Sequence, residues 1–178
     1  LIGKLGYAEM SHADLTAVVG IGRTTFYEHF ASKEDLLVQM VRRDLPPLVD
    51  EIVDALDDSL SPQQRLAVLA RSMVQFVGTD HIGLILHTEV PHLSAHAQAE
   101  IAEAHKGLSM CFASTYMDGV RSGVFRAVPP RLAGRMMEQM IMTGGKEVMM
   151  AKDPVGEVDA IANITAELVV SAFEERPE

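Results

Sequence analysis

Between Arg23 and His29 the chain sets Arg23, Thr24, Thr25, Tyr27, Glu28 and His29 around one apolar residue, Phe26. Wound as a helix, that segment offers a guanidinium, two hydroxyls, a phenol and an imidazole. Groups of this kind donate to phosphate oxygens and reach base edges, and a threonine methyl packs against thymine. Lys33, at the start of the next predicted helix, can meet a phosphate. A second concentration of chemistry is His81, His87, His92, His96 and His105. With Glu89 or Glu100, His92 and His96 offer the donor types that a zinc site uses. Their spacing lacks the HExxH pattern of zinc hydrolases, and solvated or locally bonded histidines are the favoured account. No glycine-rich phosphate loop, nucleophile elbow or paired-cysteine site occurs. Cys111, the single cysteine, lies in the apolar run LSMCFASTY and reads as buried filler.

The elements that must position these groups are helical, because apolar residues recur at three and four rather than two. Ser11 caps a short helix over about His12 to Val19. Gly20 is placed for the left-handed residue of a tight turn, and Ile21 for plugging that turn against Leu15 and Phe26. A second short helix follows from about Arg23 to Phe30. Two short helices joined by a glycine turn have the geometry of a helix-turn-helix. Ser32 caps the next helix, with Asp35 three residues on approximating a capping box. Its apolar pattern runs through Leu36, Leu37, Met40, Val41, Leu45, Leu48, Val49, Ile52, Val53 and Leu56. One extended helix is therefore expected, kinked or broken at Pro46-Pro47. Further helices are predicted over about Pro62 to Val77, His81 to Glu89, Ser94 to Ser122, Arg131 to Met150 and Val155 to Glu174. Gly78-Thr79-Asp80 reads as a stop and new cap, and Gly123 as a C-terminal cap.

The 178 residues are 48% hydrophobic and carry a net charge of −10. That content indicates a globular chain, and no apolar run reaches the roughly 18 residues a membrane span needs. The acid excess argues against nonspecific nucleic-acid binding by the whole surface. Up to Arg43, however, Lys4, Arg23, Lys33, Arg42 and Arg43 balance Glu9, Asp14, Glu28, Glu34 and Asp35. A neutral head on an acidic body binds DNA if its bases are clustered on one face. A lone cysteine and the lack of a signal segment make a cytoplasmic protein the simplest expectation.

The stretch GYAEMSHADLTAVVGIGRTTFYEHFASKEDLL resembles the DNA-binding signature of the TetR family. Gly6-Tyr7, Leu15 and Val18 match ahead of the turn at Gly20-Ile21. Thr25-Phe26-Tyr27 with His29-Phe30 resembles the reading helix, and Ser32-Lys33-Glu34 with Leu36-Leu37 the start of the helix after it. GVRSGVFRAVPPRLAGRMM is similar to the stretch leading into the family's dimerising helices. The family's first helix is longer than residues 1–5, so the head is read as N-terminally incomplete. The resemblance implies an all-α fold with a helix-turn-helix domain over residues 1–44 and a ligand-binding and dimerisation domain over residues 45–178. It implies DNA contacts by Arg23, Thr24, Thr25, Tyr27, His29 and Lys33, with Phe26 and Phe30 as core.

In the body, Met73, Phe76, Leu86, His87, Phe112, Tyr116 and Met140 fall on segments that resemble the family's pocket-lining helices. They would favour a small apolar or aromatic effector with one polar anchor. A filled core is the competing account for each of them. Met137, Ile141 and Gly144 on one helix, with Ile161, Ile164, Leu168 and Phe173 on the last, form stripes suited to a four-helix homodimer bundle rimmed by Arg135, Glu138 and Lys146. The alternative is that these stripes face their own core. The function implied is a ligand-released repressor at a palindromic, double-stranded operator, with no enzymatic activity, no cofactor and no membrane partner. The ligand would favour a form with the heads splayed, transmitted through the helix from Lys33 to Pro46-Pro47. Two other classes remain: an all-helical metal-dependent hydrolase using the histidines from His81 to His105, and a helical protein-binding adaptor.

Overall fold

A computed structural model of the chain describes residues 11–20, 22–57 and 59–175. Its helices are α1 (His12–Val19), α2 (Arg23–His29), α3 (Lys33–Asp54), α4 (Pro62–Thr79), α5 (His81–Glu89), α6 (Ala95–Arg121), α7 (Pro130–Met150) and α8 (Pro154–Phe173), with a 3-10 turn at Val90–His92. No strand occurs among the described residues; an isolated antiparallel bridge joins Phe125 to Glu174. Gly6-Tyr7 and Ile21 lie outside the described residues.

Local chemistry sets the helix ends. The Ser11 hydroxyl accepts from the Asp14 amide (3.2 Å), and the Asp14 carboxylate accepts from the Ser11 amide (2.9 Å). Gly20 ends α1 with φ 70°, a conformation that glycine adopts without Cβ strain. At α4 the Ser61 hydroxyl accepts from the Gln64 amide (3.3 Å), Gln64 Oε1 accepts from the Ser61 amide (2.9 Å), and Pro62 opens the helix. The Asp153 carboxylate accepts from the Gly156 amide (3.1 Å) at the start of α8.

Two compact units result. One contains the described residues up to Pro47 together with His81–His105; the other contains Leu48–Asp80 and Lys106–Glu178. The boundary inside α3 falls between Pro47 and Leu48. The helix nevertheless continues through Pro46 and Pro47, so of the kink or break expected there the break does not occur. Proline at these positions removes the bonds that would reach the Arg42 and Arg43 carbonyls. Leu45, 2% exposed on one side, and Ile52, 3% exposed on the other, anchor the flanking turns.

In the second unit α4 packs against both α7 and α8, and those two pack on each other. Leu66, Ala70 and Val74 from α4 meet Met137, Ile141 and Val148 from α7 and Ala162, Ala166, Val169 and Phe173 from α8. Tyr116 stacks beside Phe125 (6.2 Å between ring centres) and edge-on to Phe173 (5.6 Å). Its phenol oxygen accepts from the Val128 amide (2.7 Å) and lies 2.9 Å from the Arg126 carbonyl oxygen, tying down the segment before α7. A smaller cluster joins Ile52, Leu69 and Leu108.

α4 ends inside the stop expected at Gly78-Thr79-Asp80: it runs to Thr79, with Asp80 as its C-cap, and Gly78 itself is still helical. A Cβ on Gly78 would lie 2.6 Å from Val148 Cβ, and one on Gly145 would lie 2.3 Å from Val77 Cγ1. These glycines let the backbones of α4 and α7 approach, so Gly78 serves packing rather than termination. Gly145→Ala is expected to lower stability by about 1–3 kcal/mol through overpacking. Gly134→Ala, whose Cβ meets nothing within 4 Å, should be neutral or stabilising by up to about 1 kcal/mol. Urea unfolding of the two variants checks this; equal effects would contradict the close-approach account.

Candidate nucleic-acid interface

α2 is seven residues long and has one buried side chain, Phe26, at 3% exposure. Phe26 meets Phe30 with ring centres 5.4 Å apart and Tyr27 edge-on at 5.5 Å. Around that anchor Arg23, Thr24, Glu28 and His29 are exposed, Tyr27 is 43% exposed and Thr25 is half-buried. The Arg23 guanidinium carbon lies 5.7 Å from the centre of the Tyr27 ring, a cation–π pair. The structure thus brings Arg23 and Tyr27 together, and leaves Thr24 and His29 facing solvent.

The start of α3 is held from two sides. The Ser32 hydroxyl accepts from the Asp35 amide (3.0 Å), while the Asp35 carboxylate accepts from the Ala31 amide (2.8 Å). Asp35 reaches one residue further back than a regular capping box requires. Lys33, half-buried, opens the helix, and Glu34 beside it accepts from the Ser94 amide (2.8 Å) and the Ser94 hydroxyl (2.5 Å). The Ser94 hydroxyl and amide, with His96 nearby, hold the Glu34 carboxyl below the ordinary glutamate range. A depressed carboxylate stabilises the fold above its ordinary titration range, and that contribution is lost as pH falls through it. About two turns of α3 further on, Arg42 pairs with Glu100 at 2.6 Å. Sequence reasoning missed Ser94 and Glu100 as partners of this head. Ser94 was legible as the start of a helix, but nothing local pointed across 60 residues to Glu34.

The proposed effector residues fall in two places. Met73 and Phe112, both half-buried, touch both apolar clusters of the second unit, and Tyr116 is buried in the larger one. Phe76 is half-buried on α4. Met140 packs against the same cluster and also lines a groove between α7 and α8. Leu86, buried, and His87, half-buried, belong to the other compact unit.

The proposed dimer residues also divide. Met137, Ile141, Gly144 and Phe173 are buried within the chain itself, where Gly144 faces Thr165 across α7 and α8. Ile164 and Leu168 are 59% and 55% exposed and line the groove with Ile161. Leu132 and Met136 on α7, 50% and 44% exposed, were not singled out from the sequence. The outward stripe of α7 is offset by one position from the stripe expected. A helix of apolar character on two faces does not declare which face is outermost.

Among the described residues no three His, Cys, Asp or Glu side chains gather as a metal site. His92 and His96 are exposed, and His105 Nδ1 lies 2.8 Å from the Ile101 carbonyl oxygen on its own helix. The hydrolase alternative finds no centre among the described residues. No described helix is long and apolar enough to cross a membrane.

The sequence pattern of the bacterial regulatory proteins of the tetR family matches residues 1–40, and that of the tetracyclin repressor-like C-terminal domain matches residues 59–143. The chain belongs to the TetR family. A curated relative, the HTH-type transcriptional regulator YxbF of Bacillus subtilis strain 168, is 27% identical over 79% of this chain. The chain spans 41% of the length of that relative. The TetR fold extends across both units. The transcriptional regulator FadR of Bacillus subtilis, solved in complex with stearoyl-CoA, matches with TM-score 0.75 and 21% identity, covering 97% of this chain and 94% of FadR. AibR, solved with isovaleryl coenzyme A and operator DNA, matches with TM-score 0.76 and 18% identity, covering 97% and 91%.

The anchoring of α2 is testable without DNA. Phe26→Ala is expected to cost about 3–5 kcal/mol of head stability. Tyr27→Ala, from an exposed position, should cost about 1 kcal/mol or less. Thermal unfolding followed by circular dichroism separates the two, and a Tyr27 effect as large as that of Phe26 would place Tyr27 in the core.

Proposed function

We propose that this TetR-family chain is a DNA-binding transcriptional regulator, acting as a repressor that a small apolar or aromatic effector releases from a palindromic operator. The observation that carries the reading is α2, which buries Phe26 and turns Arg23, Thr24, Tyr27 and His29 outward. In this reading α2 enters a major groove with Thr24, Thr25 and His29 at base edges, while Arg23, Tyr27 and Lys33 hold phosphates. Residues 1–44 form the reading domain, residues 45–178 the sensing and pairing domain, and the protein works in the cytoplasm on operator DNA.

One short head reads one half-site, so two copies are needed. The face that suits a second copy is the α7–α8 groove, where Ile164 and Leu168 are exposed and Met140, Thr143, Gly144 and Ile161 form the floor. Leu132 and Met136 extend the apolar surface along α7. Effector binding is assigned to the region of Met73, Phe76 and Phe112, with Tyr116 as a wall. Leu86, His87 and Met140 are further candidates. Met73 and Phe112 are flexible or flat apolar groups that touch two clusters at once, the setting in which an inserted ligand displaces little backbone. Acyl-CoA thioesters form a rational first panel for thermal-shift screening, since FadR and AibR were solved with such molecules.

Selection of bound duplexes from a random pool is expected to return an inverted repeat. Thr25→Ala or Tyr27→Ala should weaken binding to that duplex by about 1–3 kcal/mol. Unchanged affinity in both variants, measured by fluorescence anisotropy at fixed salt, would overturn the assignment of α2. Pairing has its own test: Ile164→Asp with Leu168→Asp should convert a dimer to a monomer in sedimentation velocity while helicity is retained. A protein that stays dimeric would move the interface elsewhere.

A further inference from the structure

Glu34 and Ser94 lie 60 positions apart in the chain, yet Glu34 closes both hydrogen bonds that Ser94 can donate. Ser94 also accepts from the Ala97 amide (3.2 Å), so it is the capping residue of α6. A carboxylate from α3 therefore sits on the N-terminus of α6, where the helix dipole and the free amides favour negative charge. Hydrogen bonds to a charged acceptor are about twice as strong as neutral ones. Both residues belong to the same compact unit, and Arg42–Glu100 repeats the α3-to-α6 connection further along both helices. Glu34 directly follows Lys33, on the turn that leaves α2.

We propose that Glu34 and Ser94 are positioning residues for DNA reading: they lock the first turn of α3 to the start of α6, and so fix the place of Lys33 against the DNA backbone. This rests on the DNA-binding reading above for its last step, but the lock itself does not. Breaking the lock frees the head to take other poses without unfolding α2. The surface pair Arg42–Glu100 adds little energy by itself.

The test uses the full chain with Ser94→Ala, Glu34→Gln and Ser94→Thr, the last retaining the hydroxyl. Amide hydrogen exchange is expected to speed up about tenfold across residues 33–47 in Ser94→Ala and Glu34→Gln, with residues 62–79 unchanged. Ser94→Thr should match the parent. Parent-like exchange in Ser94→Ala would overturn the lock, and so would acceleration spread equally over residues 62–79. The second measurement uses the selected duplex. Ser94→Ala should weaken binding about tenfold and lower the slope of log affinity against log salt, and Lys33→Gln added to it should change little more. Additive losses from Lys33→Gln and Ser94→Ala would show that the lock does not position Lys33, and overturn that part of the proposal. If the parent binds no selected duplex, the DNA reading fails, while the exchange result still decides the lock.

Discussion

A helix of seven residues does not persist in water by itself, because nucleation costs more than so few hydrogen bonds return. α2 holds its shape through tertiary support, and that support is narrow: Phe26 is its one buried side chain. Everything polar on α2 depends on this single anchor. Arg23 and Tyr27 are prearranged by their mutual stacking, which limits the rotamers they would otherwise have to give up on binding. The backbone around α2 is fixed in turn from its two ends. Gly20 sets the angle from α1, and the Ser32–Asp35–Ala31 bonds set the angle into α3.

The body solves a different problem. Its helices are long enough to be stable once packed, and what must be specified is how closely they lie. α4 is the central element, in contact with both α7 and α8. Gly78 against Val148 and Gly145 against Val77 act reciprocally: each helix supplies a glycine where the other supplies a valine. This arrangement fixes the register of α4 on α7, since a slip by one turn would set valine on valine. With the register fixed, α7 and α8 bury one face each and leave Leu132, Met136, Ile164 and Leu168 outward.

Much of this was legible locally. Ser11, Gly20, Ser61-Pro62 and Gly123 each act within four residues, and each is found doing what its type predicts. What was not legible depends on partners distant in the chain. Pro46 and Pro47 were expected to kink or break α3, yet the helix continues through both, with Leu45 and Ile52 buried on either side. Gly78-Thr79-Asp80 does end α4, but the packing role of Gly78 was not legible because its partner, Val148, lies 70 residues on. Met137, Ile141 and Phe173 could not be told from a surface stripe, since apolar residues occupy more than one face of α7 and α8. Of the candidate DNA contacts, Arg23, Thr24, Tyr27 and His29 are presented as their types suggested, and Thr25 is partly covered.

The same distinction explains why the contact between Glu34 and Ser94 was the least legible part. Coupling requires an element with two arrangements that both sites can bias. Caps and turns are single-state devices, readable because only one conformation satisfies them. A carboxylate seated on another helix's N-terminus is held by contacts that can be exchanged for water, so it has a second state available at modest cost. Such a contact leaves no periodic trace in either helix: Glu34 reads as an ordinary first-turn acid and Ser94 as an ordinary cap. Only their meeting across 60 residues makes the pair a joint between α3 and α6.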